Sequence, residues 1–221
     1  MALNSTKFDE LVVKCQKCPR LAAYASETKL NQRKNGFEME DYWCKPVASF
    51  GNLDAHILIV GLAPGRHGAG RTGRPFTGDY AGEILYRALH ESKLSSSKEA
   101  VSINDGLQLY DVRIANAVRC APPQNKPLLE EILNCRPYLI QEIEMMENLR
   151  FVLTLGHLAH KQLISSMGLK QTDFKFGHET IHTIPDKDWE LMNSYHPSRY
   201  NINTQRLTYQ MFLKVIQRLT H

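Results

Sequence analysis

Two pairs of cysteines, Cys15 and Cys18 at C-x2-C spacing and Cys120 and Cys135 at C-x14-C, supply four soft thiolates suited to a zinc ion or an iron-sulfur cluster. Zinc ribbons usually keep both pairs close in sequence. The separation of about a hundred residues here favours a cluster, with zinc or incidental core thiols as the remaining readings. Cys44, alone in D-Y-W-C-K-P, is read as a small apolar residue. A second block, from Gly61 to Asp79 (GLAPGRHGAGRTGRPFTGD), lacks both the G-K-S/T ending of a Walker loop and the G-x-G-x-x-G order of a dinucleotide site. Nucleotide hydrolysis is therefore disfavoured. Glycines in this block let backbone N–H groups approach a ligand, Phe76 offers a ring for a planar group, and Asp79 adds a carboxylate. Arg66, Arg71 and Arg74 bring positive charge suited to phosphate or nucleic acid. The competing reading makes Phe76 a core residue and Asp79 only a helix cap.

Asn116 carries one acceptor and two donors on a planar amide, the complement of a base edge that sets a ring N–H beside a carbonyl. His196, in S-Y-H-P-S, can donate from a neutral imidazole to a developing oxyanion, while Ser198 offers a hydroxyl to a phosphate oxygen. A lone histidine at a strand end is more often structural, so His196 gains weight only from its company.

These residues need elements to bring them together. Residues 6–15 have helical spacing, and Cys18-Pro19 is expected to stop that helix, with a loop following through Trp43 and Pro46. His56 to Gly61 is a continuous β-branched run, the pattern of a buried parallel strand, and Ala81 to Ser92 returns to helical period with Asp79 at the cap position. Further strands are expected at Val112–Val118, Phe151–Leu155 and Leu191–Tyr195. Helices are expected over Pro127–Asn148 (broken near Pro137), Gly156–Met167 and Thr204–Leu219. The stretch near 180–184 reads as a short strand or a loop. Alternating strands and helices predict a single α/β domain over 1–221: three layers, with a central, mostly parallel four-stranded sheet and helices on both faces. In such sheets ligands sit beyond the carboxyl ends of the strands, where Gly61–Gly65, Asn116–Cys120, Gly156-His157 and His196–Ser198 all fall.

Composition narrows the class. With 221 residues, 43% hydrophobic and 23% charged, the chain suits one folded core and excludes a disordered protein. No apolar run is long enough for a membrane span, and charges scattered through the N-terminus argue against a secretory signal. A cytoplasmic protein that keeps its thiols reduced is expected. A net charge of +4 leans only mildly toward polyanionic partners.

Taken jointly, C-P-R after Cys15-x2, V-G-L-A-P-G with R-T-G-R-P-F-T-G-D, N-A-V-R-C-A-P-P from Asn116, Cys135 and H-P-S resemble the type B iron-sulfur enzymes of uracil-DNA glycosylase family 5. The resemblance implies a 4Fe-4S cluster on Cys15, Cys18, Cys120 and Cys135, and excision of uracil, with other deaminated bases such as hypoxanthine tolerated. It implies a base pocket from Gly61, Leu62, Ala63 and Gly65, with Phe76 stacking, Asn116 reading the edge and His196 stabilising charge on uracil O2. Related family 4 enzymes typically carry glutamate where Leu62 stands, and other relatives a polar residue where Ala63 stands, so the implied water-orienting residue is Asp79. Arg71, Arg74, Ser198, Arg199 and Tyr200 are the implied DNA contacts, Tyr200 as a wedge. The expected partner is uracil-containing DNA and the expected state a monomer. Two rivals stand beside this: a non-catalytic iron-sulfur nucleic-acid-binding protein of the same fold, and a zinc-stabilised small-molecule hydrolase.

Overall fold

A computed structural model of the chain describes residues 5–220; the first four residues of the N-terminal segment and His221 lie outside the described residues. Helices α1 (Ser5–Val13) and α2 (Pro19–Asn31) precede β1 (Ile57–Gly61), the short α3 (Ala69–Thr72) and α4 (Tyr80–Glu91). β2 (Val112–Asn116), α5 (Leu129–Met145), β3 (Phe151–Leu155) and α6 (His157–Ser166) follow. β4 (Ile181–Thr183), β5 (Glu190–Ser194), α7 (Arg199–Asn203) and α8 (Tyr209–Arg218) complete the fold. Among these residues no helix is long and apolar enough to cross a membrane.

The strands form one sheet in the order β2-β1-β3-β5-β4, parallel except for β4, which runs antiparallel along β5. The sheet thus has five strands where four were expected. The four parallel ones are those read from the sequence, and the fifth is a three-residue edge strand too short to give a periodic signal. Alternation along β1 divides the core in two. Ile57 and Ile59 pack with Leu85 and Leu89 of α4 and Phe212, Val215 and Ile216 of α8. Leu58 and Val60 face the opposite way, onto Leu139 and Ile143 of α5 and Leu163 and Ile164 of α6. The result is the three-layer arrangement expected for parallel strands buried on both faces.

Two prolines behave differently from expectation. The first helix does stop ahead of Cys18-Pro19, at Val13, but where a loop was expected Pro19 opens α2 at its first turn, where its missing N–H costs no hydrogen bond. Pro137 lies inside α5, which continues through it to Met145 rather than breaking. Downstream in that helix the wholly buried Glu142 receives Arg113 Nε of β2 at 2.6 Å and also pairs with Arg119, while Arg113 Nη2 reaches Asp9 of α1 at 2.9 Å. Burial opposes the charged carboxylate of Glu142, but the two guanidinium groups prevail and hold it ionised. This network anchors α1 and α5 to the strand that delivers Asn116.

Candidate active site

The carboxyl ends of four parallel strands converge on a pocket of about 420 Å³, lined by Leu62, Ala63, Pro64, Gly65, Phe76, Asp79, Asn116, His196 and Ser198, among others. That volume is of the order expected for a small-ligand site. β1 and β2 are in register at Gly61 and Asn116, so the asparagine stands beside the start of the glycine-rich loop. Gly61 is required by this packing: a Cβ there would lie 2.5 Å from Asn116 Oδ1 and 2.8 Å from Phe76 Cζ. Asn116 is 3% exposed, yet its side-chain amide makes no hydrogen bond among the described residues. A buried amide without a protein partner is costly unless a ligand completes it.

Phe76 is 7% exposed and holds a left-handed backbone (φ 52°), uncommon for a bulky residue. Its carbonyl is tucked where a Cβ on Gly82 would stand, at 1.7 Å, so α4 can approach only because residue 82 is glycine. The ring lies 6.2 Å from that of His196, tilted by 31°. Phe76 packs against the core and also lines the pocket.

Asp79 likewise does two things. Oδ1 accepts from Gly82 N at 3.0 Å as the N-cap of α4, and the carboxylate also faces the loop, where a Cβ on Gly68 would meet Oδ2 at 2.3 Å. Burial raises its pKa, opposed by the Gly82 and Ala81 N–H groups and by Arg71. His196 follows β5, its Cβ 3.1 Å from where a side chain on Gly156 (φ 92°) would begin. Burial pushes its imidazole down to about 4, so the ring is neutral near pH 7 and can donate without carrying charge. Ser198 caps α7, its Oγ accepting from Asn201 N at 3.3 Å, and its hydroxyl hydrogen remains available to the pocket.

Arg71 and Arg74 are not where a polyanion could meet them. Arg71 is 7% exposed, ion-paired with Glu40 and placed 4.3 Å over the Phe37 ring. Arg74 is 3% exposed, donates Nη1 to Asp105 Oδ1 at 2.7 Å and stacks on Phe50. Their expected role as DNA contacts is corrected: both guanidinium groups brace the loop from inside. Arg199 and Tyr200 lie on the surface beside the pocket, Arg199 over the Tyr80 ring at 5.0 Å and Tyr200 72% exposed. Sequence reasoning missed Asn125, His157 and Leu158 as pocket residues. Gly156-His157 was noted at a strand end, but Asn125 sits in no motif.

A second cavity, about 890 Å³, is lined by all four predicted cysteines, with Leu21, Val118 and Tyr138. Arg119 N donates to Cys135 Sγ at 3.2 Å and Asn134 Nδ2 to Cys18 Sγ at 3.7 Å, the kind of N–H···S contact that supports ligating thiolates. Cys18, Cys120 and Cys135 each feel the charge of Cys15, whereas Cys44, on the same cavity, feels Lys29, Arg33, Arg66 and Asp41 instead. Burial and mutual repulsion raise Cys120, so four thiolates here need a cationic centre between them. Among the described residues no group of three or more His, Cys, Asp or Glu side chains is disposed to hold a metal ion. All four cysteines line this one cavity, to which Arg66 and Gly70 of the glycine-rich loop also contribute, while other residues of that loop line the first pocket.

An unengaged planar amide, an aromatic ring, a half-buried carboxylate and a neutral imidazole thus meet in one pocket at the ends of parallel strands. Residues 48–220 match the family model described as the uracil DNA glycosylase superfamily, and the chain belongs to that superfamily. Within it, the chain is 44% identical over 214 residues to a type-5 uracil-DNA glycosylase of Thermus thermophilus, covering 97% of this chain and 96% of the relative. A type-5 uracil-DNA glycosylase of Pyrobaculum aerophilum is 40% identical, covering 96% and 90%, and a type-4 enzyme of the same organism is 35% identical, covering 89% and 84%.

Proposed function

We propose that the protein is a monofunctional uracil-DNA glycosylase of the type-5 kind, a single-domain monomer that acts on DNA in the cytoplasm. The observation that carries this is the Asn116 amide: buried, unpartnered and lining the same pocket as Phe76 and His196, with room for an extruded nucleotide. An extruded uracil would present N3–H and O4 to that amide and stack on Phe76, while its O2 meets the neutral imidazole of His196. Hypoxanthine also sets a ring N–H beside a carbonyl and is the next base to test.

The chemistry follows from these placements. The C1'–N1 bond breaks with its electron pair going to the uracil ring, where charge on O2 is stabilised by a donor from His196. An oxocarbenium-like sugar remains and is attacked at C1' by water. Asp79, in its carboxylate form, would orient that water and accept its proton; the uracil anion leaves with a proton from solvent. Leu62 and Ala63 supply no carboxylate, so Asp79 is the residue in the lining suited to this.

Ser198, Arg199 and Tyr200 would meet the DNA flanking the pocket, Tyr200 as a ring that enters the stack when the nucleotide leaves it. Cys15, Cys18, Cys120 and Cys135 would hold a 4Fe-4S cluster, whose contribution is structural, tying α2 and α5 to the segment after β2, because base hydrolysis moves no electrons. The test is release of uracil from a uracil-containing oligonucleotide, read as alkali-sensitive strand breaks. Cluster-loaded protein that binds such DNA and produces no breaks would favour a non-catalytic binding module instead.

A further inference from the structure

Phe76 keeps its left-handed backbone (φ 52°) between two residues whose carbonyls are both engaged. Pro75 O accepts from Tyr86 Oη at 2.8 Å and from Thr77 Oγ1 at 3.2 Å, and Thr77 O accepts from Thr72 Oγ1 at 3.1 Å. The Arg74 guanidinium ties this set together. Its Nε donates to Thr77 Oγ1 at 3.0 Å, and its Cζ lies 4.8 Å from the centre of the Phe50 ring and 5.9 Å from that of Tyr86. The other two nitrogens go to one carboxylate, Nη1 to Asp105 Oδ1 at 2.7 Å and Nη2 to Asp105 Oδ2 at 2.5 Å, a fork that fixes direction as well as distance. Asp105 itself lies in no helix or strand; it sits in the irregular stretch between α4 and β2, where it also accepts from Val101 N at 2.9 Å, Ser102 N at 3.2 Å and Leu107 N at 3.0 Å. Burial opposes its charge, but Arg74 and these N–H groups outweigh burial and hold the carboxyl below its usual range.

A carboxylate outside the pocket lining thus acts on the pocket through one guanidinium. Asp105 fixes Arg74, Arg74 fixes Thr77, and the pocket residues Phe76 and Asp79 stand one residue before Thr77 and two after it. A left-handed phenylalanine persists only where its surroundings over-determine it, and a guanidinium 3% exposed that loses its acceptors must move to find others. Either shift carries the Phe76 ring and the Asp79 carboxylate with it. We propose that Asp105 is a positioning residue for base excision: acting through Arg74, it holds the Pro75–Asp79 segment so that Phe76 and Asp79 meet the extruded nucleotide in register. This rests on the glycosylase reading of the pocket. It gives a loop remote from the chemistry control over engagement of the base, and leaves the contacts to flanking DNA at Ser198, Arg199 and Tyr200 untouched.

Engagement of the base and of the flanking DNA can be measured separately. Asp105→Asn keeps the side-chain shape but turns one acceptor oxygen into an NH2 donor, so the fork cannot be met at both points; Arg74→Lys keeps the charge and loses the fork. Each should lower kcat by roughly 10–100-fold, the scale of a misplacement of about 1 Å, and weaken binding of free uracil, followed by ligand-observed NMR, about tenfold. Affinity for an oligonucleotide bearing a tetrahydrofuran abasic analogue should stay within about twofold of wild type, because its contacts are independent of the segment. The Arg74→Lys/Asp105→Asn double variant should be no worse than the poorer single one. Ile143→Val, which thins the core under α5, should lower the melting temperature and leave kcat and uracil binding unchanged. Four results would each overturn the proposal: wild-type kcat and uracil binding in both single variants, a parallel loss of affinity for the abasic analogue, additive effects in the double variant, or the same losses in Ile143→Val. Uracil binding needs no turnover. A wild type that binds uracil without excising it, and an Asp105→Asn variant that loses that binding, would remove the activity reading and leave the positioning role standing.

Discussion

Replacing Gly61 by alanine adds one methyl group at the point where the base pocket is tightest. Its Cβ would fall 2.5 Å from Asn116 Oδ1, 2.8 Å from Phe76 Cζ and 2.9 Å from Phe76 Cε2. Carbon contacts are comfortable at about 3.5–4.0 Å, so the ring or the amide must retreat by roughly 1 Å. Phe76 has little room to yield, since its backbone is already left-handed and its carbonyl is wedged against Gly82. The displacement therefore goes into the pocket. Overpacking of this kind costs about 1–3 kcal/mol, and a misplacement of about 1 Å in a reacting geometry costs about a hundredfold in rate. Gly61 has an ordinary strand backbone, so the loss of chain entropy on its own would make alanine mildly stabilising, by about 0.4–1 kcal/mol. The expected outcome is a split: kcat/KM on a uracil oligonucleotide falls by roughly 10–100-fold while the melting temperature moves by only a few degrees. A variant with kcat/KM within about twofold of wild type would show that the Asn116–Phe76 spacing does not govern the reaction.

Three further outcomes follow from the same structure. Cys135→Ser should reduce cluster content and folding yield more than turnover per folded molecule, measured by visible absorbance, thermal melting and activity on the same preparation; a normally melting, cluster-loaded but inactive variant would contradict the structural role. For His196, the folded imidazole near 4 against about 6.5 in the unfolded chain means that the unfolded state takes up the proton first as pH falls. Stability should therefore drop as pH falls from about 6.5 through 4, by roughly 3.4 kcal/mol in full, and His196→Asn should lack that part of the drop in denaturant titrations at pH 7 and 5. Tyr200→Ala should slow excision from duplex more than from single-stranded uracil DNA; equal rates on both for variant and wild type would remove the wedge.

The parts of this molecule that could be read from its sequence are those where chemistry and local pattern coincide. β1 announced itself as an apolar run ending in glycine, Asp79 as a cap three residues before Gly82, and the four parallel strands by their alternation with helices. What resisted reading depends on distant partners. Arg71 and Arg74 look like free cations in a glycine-rich loop, and become structural only because Glu40 and Asp105, each about thirty residues away, fold against them. Pro19 reads as a stop unless the following residues are known to be helical, and β4 is defined by pairing with β5 rather than by its own three residues. Asn125 enters the pocket through a pinned turn whose restraints come from Arg20 and Glu131, more than a hundred residues apart in sequence. Motif spacing carries none of that information.

The central claim is that one pocket both binds and excises uracil, with Asn116 reading the base and His196 stabilising its departing charge. It is tested most directly by treating a uracil-containing oligonucleotide with freshly purified, cluster-loaded protein, then alkali, beside Asn116→Ala and His196→Ala variants of matched melting temperature. The account predicts strand breaks at uracil with the wild type and a loss of at least about a hundredfold in each variant, the scale of a lost transition-state hydrogen bond. Wild-type breaks that persist undiminished in both variants would place the chemistry elsewhere.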